Sequence, residues 1–519
     1  MELLLSPLAA PLALLAAAAM AMRQPGRRPQ GIPRLAEGAA LLALALAGIG
    51  VLRLIAVGPA EVSAGSGGLL LALRLDALSA TMALLVAFVG WIVVRYARRY
   101  LDGEPREGAF HALMLATLAA VLVLVQAGSL AVLVAAFVAV GLGLHRLLLF
   151  YPERAEARRA AAKFALVWGA GDAAVIGAAV LLWSTFGTAD LAAIALAAGA
   201  GLPGSAQLAA ALLVLAAALK TAAFPLHGWL TEVMEAPTPV SALLHAGIVN
   251  AGGFLLIRTA DLVQASPGAM AALVAIGGFT ALFGAVVMLT QSAVKTALAW
   301  STVAQMGFML LQCGLGLWAL ALLHIVAHSL YKAHAFLASG GAVQAVAAVH
   351  RPGPVAVPGL GAVVRAFLIA VVLYGAVAAG FAALTGPKSP QALALGAILV
   401  FGVAYLVAQG LAGAAPRALT QRTGVAAGGA AVAYFGFHLI AEALWGTQLP
   451  AVPVAGPLEW ALIVLALASF GLVAVAQALF PLWSHHPAAA GLRVHLANGL
   501  YLNALLDRLI GGFRAARPL

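Results

Sequence analysis

Apolar runs of about 20 residues recur along this chain from one end to the other, and a run of that length can cross the hydrocarbon core of a membrane as a helix. Of the 519 residues, 64% are hydrophobic and only 9% are charged, whereas ordinary globular chains are about a quarter charged. Backbone in lipid must satisfy its own hydrogen bonds, and the richness in Leu and Ala favours helices over the alternating strands of a barrel. The sequence therefore predicts an all-α polytopic membrane protein with about 13–15 transmembrane helices.

Basic residues are concentrated in alternate loops between the predicted helices. The net charge is +11, which alone would be compatible with nucleic-acid binding, but Lys and Arg gathered on one side are typical of the cytoplasmic loops of membrane proteins. This pattern predicts a multi-pass protein of the bacterial inner membrane, with the N-terminus outside, the C-terminus in the cytoplasm, and no nucleic-acid partner. The loop arginines are Arg23, Arg27, Arg28, Arg34, Arg95, Arg98, Arg99, Arg106, Arg154, Arg158, Arg159, Arg417 and Arg422.

Motifs of soluble enzymes are missing from the sequence. It has no P-loop, no dinucleotide fingerprint and no paired-His metal motif. The single cysteine, Cys313, excludes an intrachain disulfide and a thiolate metal cluster. The first apolar run follows Glu2 rather than a basic segment, so we expect a retained helix and not a cleaved signal peptide. We expect a transport subunit with no catalytic residue, no metal and no cofactor of its own.

Three ionisable residues lie one helical turn apart in an apolar stretch. His324, His328 and Lys332 share one face of a predicted helix and span about 12 Å along it. A charge at bilayer depth costs roughly 2.5–3.5 kcal/mol on insertion scales, so such groups indicate function by default. Imidazole accepts a proton on one nitrogen and releases one from the other. The pattern predicts a relay for protons, with sodium as the alternative ion.

A second group of candidates surrounds an interrupted helix. Lys220 lies five residues before Pro225, and a proline inside a membrane helix breaks it where backbone lines a cavity or binds an ion. His245 follows in the next predicted span, where it could connect Lys220 to His324 through water. The alternative interpretation of a lone buried His is a satisfied core residue.

Three further ionisable residues are predicted to belong to the cation pathway, with less support from their surroundings. Asp172 is a carboxylate deep in a predicted span, Lys163 lies nine residues earlier near the membrane interface, and Lys295 begins another span. Snorkelling to the interface is the alternative role for Lys220 and for the residues of the ladder.

The C-terminal segment differs from the rest of the chain. Residues 490–515 have the spacing of an amphipathic helix, with Asp507, Arg508 and Arg514 expected on its wet side. Such a helix could lie on the membrane or dock a partner.

The segment KTAAFPLHGWLTEVMEAPTPVSALLHAGIVNAGGFLLIR, from Lys220 to Arg258, resembles the signature of proton-translocating membrane subunits of respiratory complex I and Mrp-type antiporters. The stretches VKTALAWSTVAQMGFMLL and LHIVAHSLYKAHAFLASG fit later helices of that family. The resemblance implies two inverted five-helix repeats with broken helices. The implied divisions are N-terminal helices at 1–108, a first repeat at 109–265, a second repeat at 266–413, and C-terminal helices with an amphipathic tail at 414–519.

Within that family the chain is similar to the membrane subunits of two-component systems that accumulate inorganic carbon. The tail VHLANGLYLNALLDRL is one of the features that point to that branch. The resemblance implies a large cytoplasmic partner that resembles a zinc carbonic anhydrase, so zinc is expected in the partner and not in this chain. It also implies that cation flow through this subunit drives hydration of CO2 to bicarbonate.

Two departures from the family pattern matter. Members of the family carry a glutamate in the fifth span, but here the matching position falls near Val138, so the expected partner of Lys220 is missing. The lysine that the family carries in its twelfth span has no clear match in this sequence. Three alternatives therefore stay open: a pump subunit of a complex I-like or hydrogenase complex, a subunit of an Mrp-type Na+/H+ antiporter, and a non-conducting membrane scaffold.

Overall fold

The computed structural model describes residues 7–341, 359–410 and 417–510. Eleven helical segments in these ranges are long and apolar enough to cross a membrane, and three shorter apolar helices accompany them. The predicted all-α polytopic fold is confirmed.

The first part of the bundle consists of five membrane-length helices, three shorter helices and one small hairpin. In chain order these are α1 (Ala9–Met22), α2 (Ile32–Val57), β1 (Ala60–Ala64), β2 (Leu71–Leu75), α3 (Ala77–Tyr100), α4 (Glu107–Val125), α5 (Leu130–Leu148), α6 (Ala155–Phe186), α7 (Leu191–Ala198) and α8 (Gly204–Lys220). The hairpin is antiparallel and pairs Val62 with Leu73. It is a local addition that the apolar pattern did not predict.

The second part contains two places where a helix stops and restarts. Its helices are α9 (Gly228–Thr231), α10 (Thr238–Ala246), α11 (Ala251–Arg258), α12 (Ala260–Gln264), α13 (Pro267–Met288), α14 (Val294–Gly314), α15 (Trp318–Ala338), α16 (Leu360–Thr385), α17 (Pro390–Gly410), α18 (Arg417–Trp445), α19 (Pro457–Ala478), α20 (Phe480–Trp483), α21 (Pro487–Ala497) and α22 (Leu502–Leu509). Short 3-10 turns lie at Gly67–Leu69, Val233–Glu235, Ile248–Asn250, Ser339–Gly341, Gly446–Gln448 and Gly499–Tyr501.

Three of the arginine-rich loops meet on one side of the bundle, which we call the basic side. Arg28 Nε lies 3.2 Å from Asp102 Oδ1 and joins the first loop to the loop after α3. Arg106 Nη1 donates to Phe150 O at 3.2 Å and joins that loop to the one after α5. The loops therefore alternate between the two sides as the charge pattern predicts. Which side faces the cytoplasm stays a prediction.

Glycines allow α13 and α14 to pack closely. A Cβ added at Gly277 would lie 2.7 Å from Gly307 O, and a Cβ added at Gly307 would lie 2.4 Å from Ala281 N. Small residues at such contacts let two membrane helices approach without a side chain between them. The close contact fixes the position of α14, which carries Thr302 and Gln312.

A buried ion pair ties α3 to α11 on the side opposite the basic loops. Arg258 Nη1 lies 2.6 Å from Asp76 Oδ2, and Asp76 also caps α3 by accepting from Ser79 N at 2.8 Å. Burial alone would raise the pKa of Asp76, but the charge of Arg258 and the hydrogen bonds from Arg258 and Ser79 hold the pKa below its ordinary value of 3.8.

We expect Asp76→Ala to destabilise the protein by about 3 kcal/mol, because it leaves a buried guanidinium unpaired. The native pair should stabilise the protein fully above the ordinary carboxyl pKa and lose its contribution as the pH falls through the lowered value. Thermal unfolding in detergent at neutral and at acid pH measures both effects. Glu61→Ala, at an exposed position of β1, is the matched control. Equal melting temperatures for the two variants would contradict the assignment.

Candidate cation pathway

The first helix break places Lys220 at the end of α8. The helix stops there, Pro225 lies in the break, and the chain resumes as α9 at Gly228. Trp229 Nε1 donates to Leu219 O at 3.2 Å, and Phe224 N donates to Thr280 Oγ1 at 3.1 Å. Polar groups freed by the break are thus bound by neighbouring side chains, which makes a broken helix tolerable at membrane depth.

Lys220 is paired with Asp172 of α6. Its Nζ lies 2.5 Å from Asp172 Oδ1, with the lysine side chain fully buried and the aspartate side chain 15% exposed. The ammonium also lies 4.0 Å from the ring centre of Trp168. Gly171 leaves room for the lysine, because a Cβ there would lie 3.3 Å from Lys220 Cε. The fifth-span glutamate is missing as the sequence indicates, and Asp172 of α6 supplies the carboxylate partner of Lys220 instead.

A second break, which the sequence did not predict, lies beside His245. Helix α10 ends at Ala246 and α11 begins at Ala251. The ring of His245 is fully buried and stacks on Phe336 with 4.3 Å between ring centres. Its Nδ1 lies 3.1 Å from Thr302 Oγ1. Its Nε2 has no hydrogen-bond partner among the described residues, so one nitrogen of this ring is not committed to a neighbouring group.

The ladder on α15 faces the protein interior. His328 Nε2 lies 3.1 Å from the carbonyl oxygen of His245, and Lys332 Nζ donates to Leu298 O at 2.9 Å. His324 Nδ1 lies 2.8 Å from Gln312 Oε1. The three predicted residues thus contact α10 and α14, and His328 joins the ladder to His245.

A cavity of about 540 Å³ opens beside the two histidines of the ladder. It is lined by His324, His328 and Gln305, and by Tyr434 on α18. Since a water occupies about 30 Å³ in the liquid, the cavity has room for several. Helix α16, which corresponds to the predicted twelfth span, has no lysine in its sequence, in agreement with the missing twelfth-span cation.

Lys163 is buried inside the bundle and does not reach solvent. Its side chain is fully buried, with Nζ 2.6 Å from Glu232 Oε2 and 2.8 Å from Asp507 Oδ1. It also donates to Asn503 Oδ1 at 2.7 Å, and Asn503 donates to Glu232. Asp507, predicted on the wet side of the tail, is instead 8% exposed and faces the bundle. Arg508 is exposed as predicted, and Arg514 lies outside the described residues.

Lys295 is the predicted pathway residue with the least support from its contacts. Its Nζ donates to Thr238 Oγ1 at 3.2 Å, and Thr238 is the first residue of α10, whereas His245 lies at the other end of that helix. Within the part of the chain that the structure describes, Lys295 forms no hydrogen bond or ion pair with the other predicted residues.

Sequence reasoning missed Gln312 and Asn503 because it looked only for groups that titrate. Both are neutral amides. Gln312 is 5% exposed and lies in an apolar run, so a search for any polar residue at bilayer depth would have found it. Asn503 lies in a segment that looks amphipathic, and nothing in the sequence shows its contact with Lys163.

The helix breaks, the buried Lys–Asp pair and the His ladder define an antiporter-like membrane subunit. A family model described as "NADH:quinone oxidoreductase/Mrp antiporter, TM" matches residues 127–387. A second, described as "NADH-Ubiquinone oxidoreductase (complex I), chain 5 N-terminus", matches residues 62–111. The chain belongs to this NADH:quinone oxidoreductase/Mrp antiporter family of ion-translocating membrane subunits, which confirms the resemblance drawn from Lys220 to Arg258.

Within this family the chain is similar to DabB proteins over most of its length. It is 39% identical to the probable inorganic carbon transporter subunit DabB2 of Halothiobacillus neapolitanus, over 87% of this chain and 82% of that one. It is 36% identical to NADH-quinone oxidoreductase subunit L of Mycobacterium tuberculosis, over 53% of this chain but only 44% of that one. Among solved structures, the Mrp complex of Dietzia sp. contains a chain with a TM-score of 0.64 and 26% identity, which covers 98% of this chain and 60% of that chain.

Proposed function

We propose that this subunit conducts protons through the bundle interior and couples their flow to the accumulation of inorganic carbon. Sodium is the alternative ion. The path comprises Lys220 with Asp172, then His245, and then His324, His328 and Lys332. Lys163 and Lys295 are peripheral members of this path. Cation flow would drive hydration of CO2 to bicarbonate on a partner that resembles a zinc carbonic anhydrase.

The observation that carries this proposal is the contact between the second helix break and the ladder. Lys220 ends one broken helix, His245 ends the next, and His328 Nε2 lies 3.1 Å from the backbone oxygen of His245. Ionisable groups that gather in one interior at bilayer depth, away from lipid, are typical of proton relays. The histidine with a free Nε2 lies between the lysine pair and the ladder in chain order, where a relay needs a group that both accepts and releases a proton.

The inorganic-carbon role is supported by the DabB2 name, carried by a relative that matches most of this chain. The basic side is the proposed cytoplasmic face of a bacterial inner membrane, because Lys and Arg gather in cytoplasmic loops. The N-terminus would then lie outside, and the tail with α21 and α22 would lie in the cytoplasm beside the partner. The second candidate is a pump or antiporter subunit, which the Mrp complex and subunit L relatives favour.

Reconstitution separates conduction from a scaffold role. Wild-type protein in proteoliposomes should dissipate a pH gradient, and His328→Ala should slow this by roughly tenfold or more, the contribution of one positioned proton-transfer group. His334→Ala is the matched control, because His334 lies on the same helix but is exposed. If vesicles with wild-type protein lose their pH gradient no faster than vesicles without protein, the conduction proposal is overturned.

Purification in mild detergent tests the partner. We expect a large zinc-binding protein with CO2-hydrating activity to copurify with the chain. Copurification of quinone-oxidoreductase or antiporter subunits instead would support the second candidate.

A further inference from the structure

Three segments far apart in sequence meet around Lys163 on the basic side. Helix α6 provides the lysine, the residues after α9 provide Glu232, and α22 of the tail provides Asn503 and Asp507. The packing is close, because a Cβ added at Gly228 would lie 2.3 Å from Asn503 Oδ1. We call these four side chains the Lys163 cluster.

The charges of the Lys163 cluster do not cancel. One ammonium faces two carboxylates, so with both acids ionised the cluster carries one excess negative charge. Asp507 Oδ1 is buried and lies 2.8 Å from Lys163 Nζ, yet it accepts no hydrogen bond from the described residues. Burial of an unbalanced charge is unfavourable, and a bound proton or monovalent cation removes the imbalance.

Access to the Lys163 cluster is asymmetric. The side chain of Glu232 is 29% exposed, whereas that of Lys163 is fully buried, so the carboxylate connects solvent on the basic side with the interior. Arg154, whose Nη1 lies 3.8 Å from Glu235 Oε2, is held near the same segment of chain.

An aromatic layer lies between the Lys163 cluster and the Lys220–Asp172 pair. Phe164, Trp168 and Trp229 contact one another, with ring centres 5.2 to 6.2 Å apart. Lys163 and Asp172 lie on the same helix, about 13.5 Å apart along its axis at 1.5 Å per residue. The Lys163 cluster and the Lys220–Asp172 pair are thus two neighbouring charged sites separated by a layer of apolar rings.

We infer that the Lys163 cluster is the uptake site for the transported cation on the basic side. Glu232 and Asp507 share the incoming proton, and Asn503 positions Glu232 against the lysine. The tail segment 499–509 is therefore part of the pathway and not only a docking surface. This inference rests on the proposed function and extends the path beyond the ladder.

Flux measured with Asp507→Asn tests the inference. We expect proton uptake from the basic side to fall at least fivefold, with the apparent KM for the cation raised more than Vmax is lowered, and Asp507→Glu should restore part of it. Leu505→Ala is the matched control, because Leu505 lies on the same helix and is 54% exposed. Uptake by Asp507→Asn equal to the wild-type value would overturn the inference.

Carbodiimide labelling tests the same site in wild-type protein, so it does not depend on whether the variant folds. Dicyclohexylcarbodiimide modifies protonated carboxyls, and we expect labelling of Glu232 or Asp507 that declines as the pH rises, with the exposed Glu153 as the internal control. Protection by Na+ at constant pH would identify sodium as the ion. No labelling of either carboxylate beyond that of Glu153 would overturn the site. If labelling occurs but wild-type vesicles conduct nothing, the proposed function fails while the site stands.

Discussion

Replacing Asp172 by Asn is expected to abolish proton flux and to destabilise the protein by about 3–5 kcal/mol, the cost of leaving a buried charge without its partner. The lysine side chain of the pair is fully buried, and its Nζ lies 2.5 Å from the carboxylate. Amide oxygen can still accept a hydrogen bond from Lys220, but it does not neutralise the ammonium. Thermal unfolding in detergent and dissipation of a pH gradient in proteoliposomes measure the two effects.

The double variant Asp172→Asn/Lys220→Met separates stability from conduction. Removing both charges takes away the unpaired ion, so we expect most of the lost stability to return, since buried ion pairs replaced by apolar groups of similar size are often neutral. Flux should stay abolished, because no group that exchanges a proton is left at this position. A double variant that conducts normally would show that the pair is structural.

Lys332→Ala is expected to abolish growth under conditions in which the cell depends on this protein to accumulate inorganic carbon. It is also expected to lower proton flux by roughly tenfold or more. The lysine is fully buried, and its Nζ donates to Leu298 O at 2.9 Å. Apart from that hydrogen bond the ammonium has no ion-pair partner among the described residues, so its removal should not cost stability as the loss of Asp172 does. Growth, flux and melting temperature are measured together.

A control on the same helix makes the Lys332 result specific. His334→Ala changes an exposed ionisable residue two positions away and should leave growth and flux near wild-type values. Full carbon-dependent growth by Lys332→Ala at normal expression would count directly against a relay through α15.

Much of this bundle could be predicted from the sequence because the bilayer permits few solutions. Long apolar runs must be helices, and the arginine pattern placed the loops on alternate sides. The spacing of His324, His328 and Lys332 put them on one face, and Pro225 marked the first break. These predictions rest on local spacing, which a sequence shows directly.

Contacts between distant segments were not predictable in the same way. The partner of Lys220 comes from α6, where Asp172 looked like an isolated acid, and the partner of Lys163 comes from a tail some 340 residues later. The break beside His245 has no proline, and Gly247 at the end of α10 is one of many glycines in apolar segments of this chain, so the sequence did not single out this position. In each case tertiary packing selects the partner.

Helix α6 runs without interruption for 32 residues and carries Lys163 near one end and Asp172 near its middle. A continuous helix of this length is about 48 Å long and is stiff compared with the broken segments beside it. A small tilt or axial slide of this helix displaces Lys163 and Asp172 together, and it carries Phe164 and Trp168 with them. A movement of the tail that displaces Asp507 from Lys163 would therefore be transmitted to Lys220, because Asp172 is the ion-pair partner of Lys220.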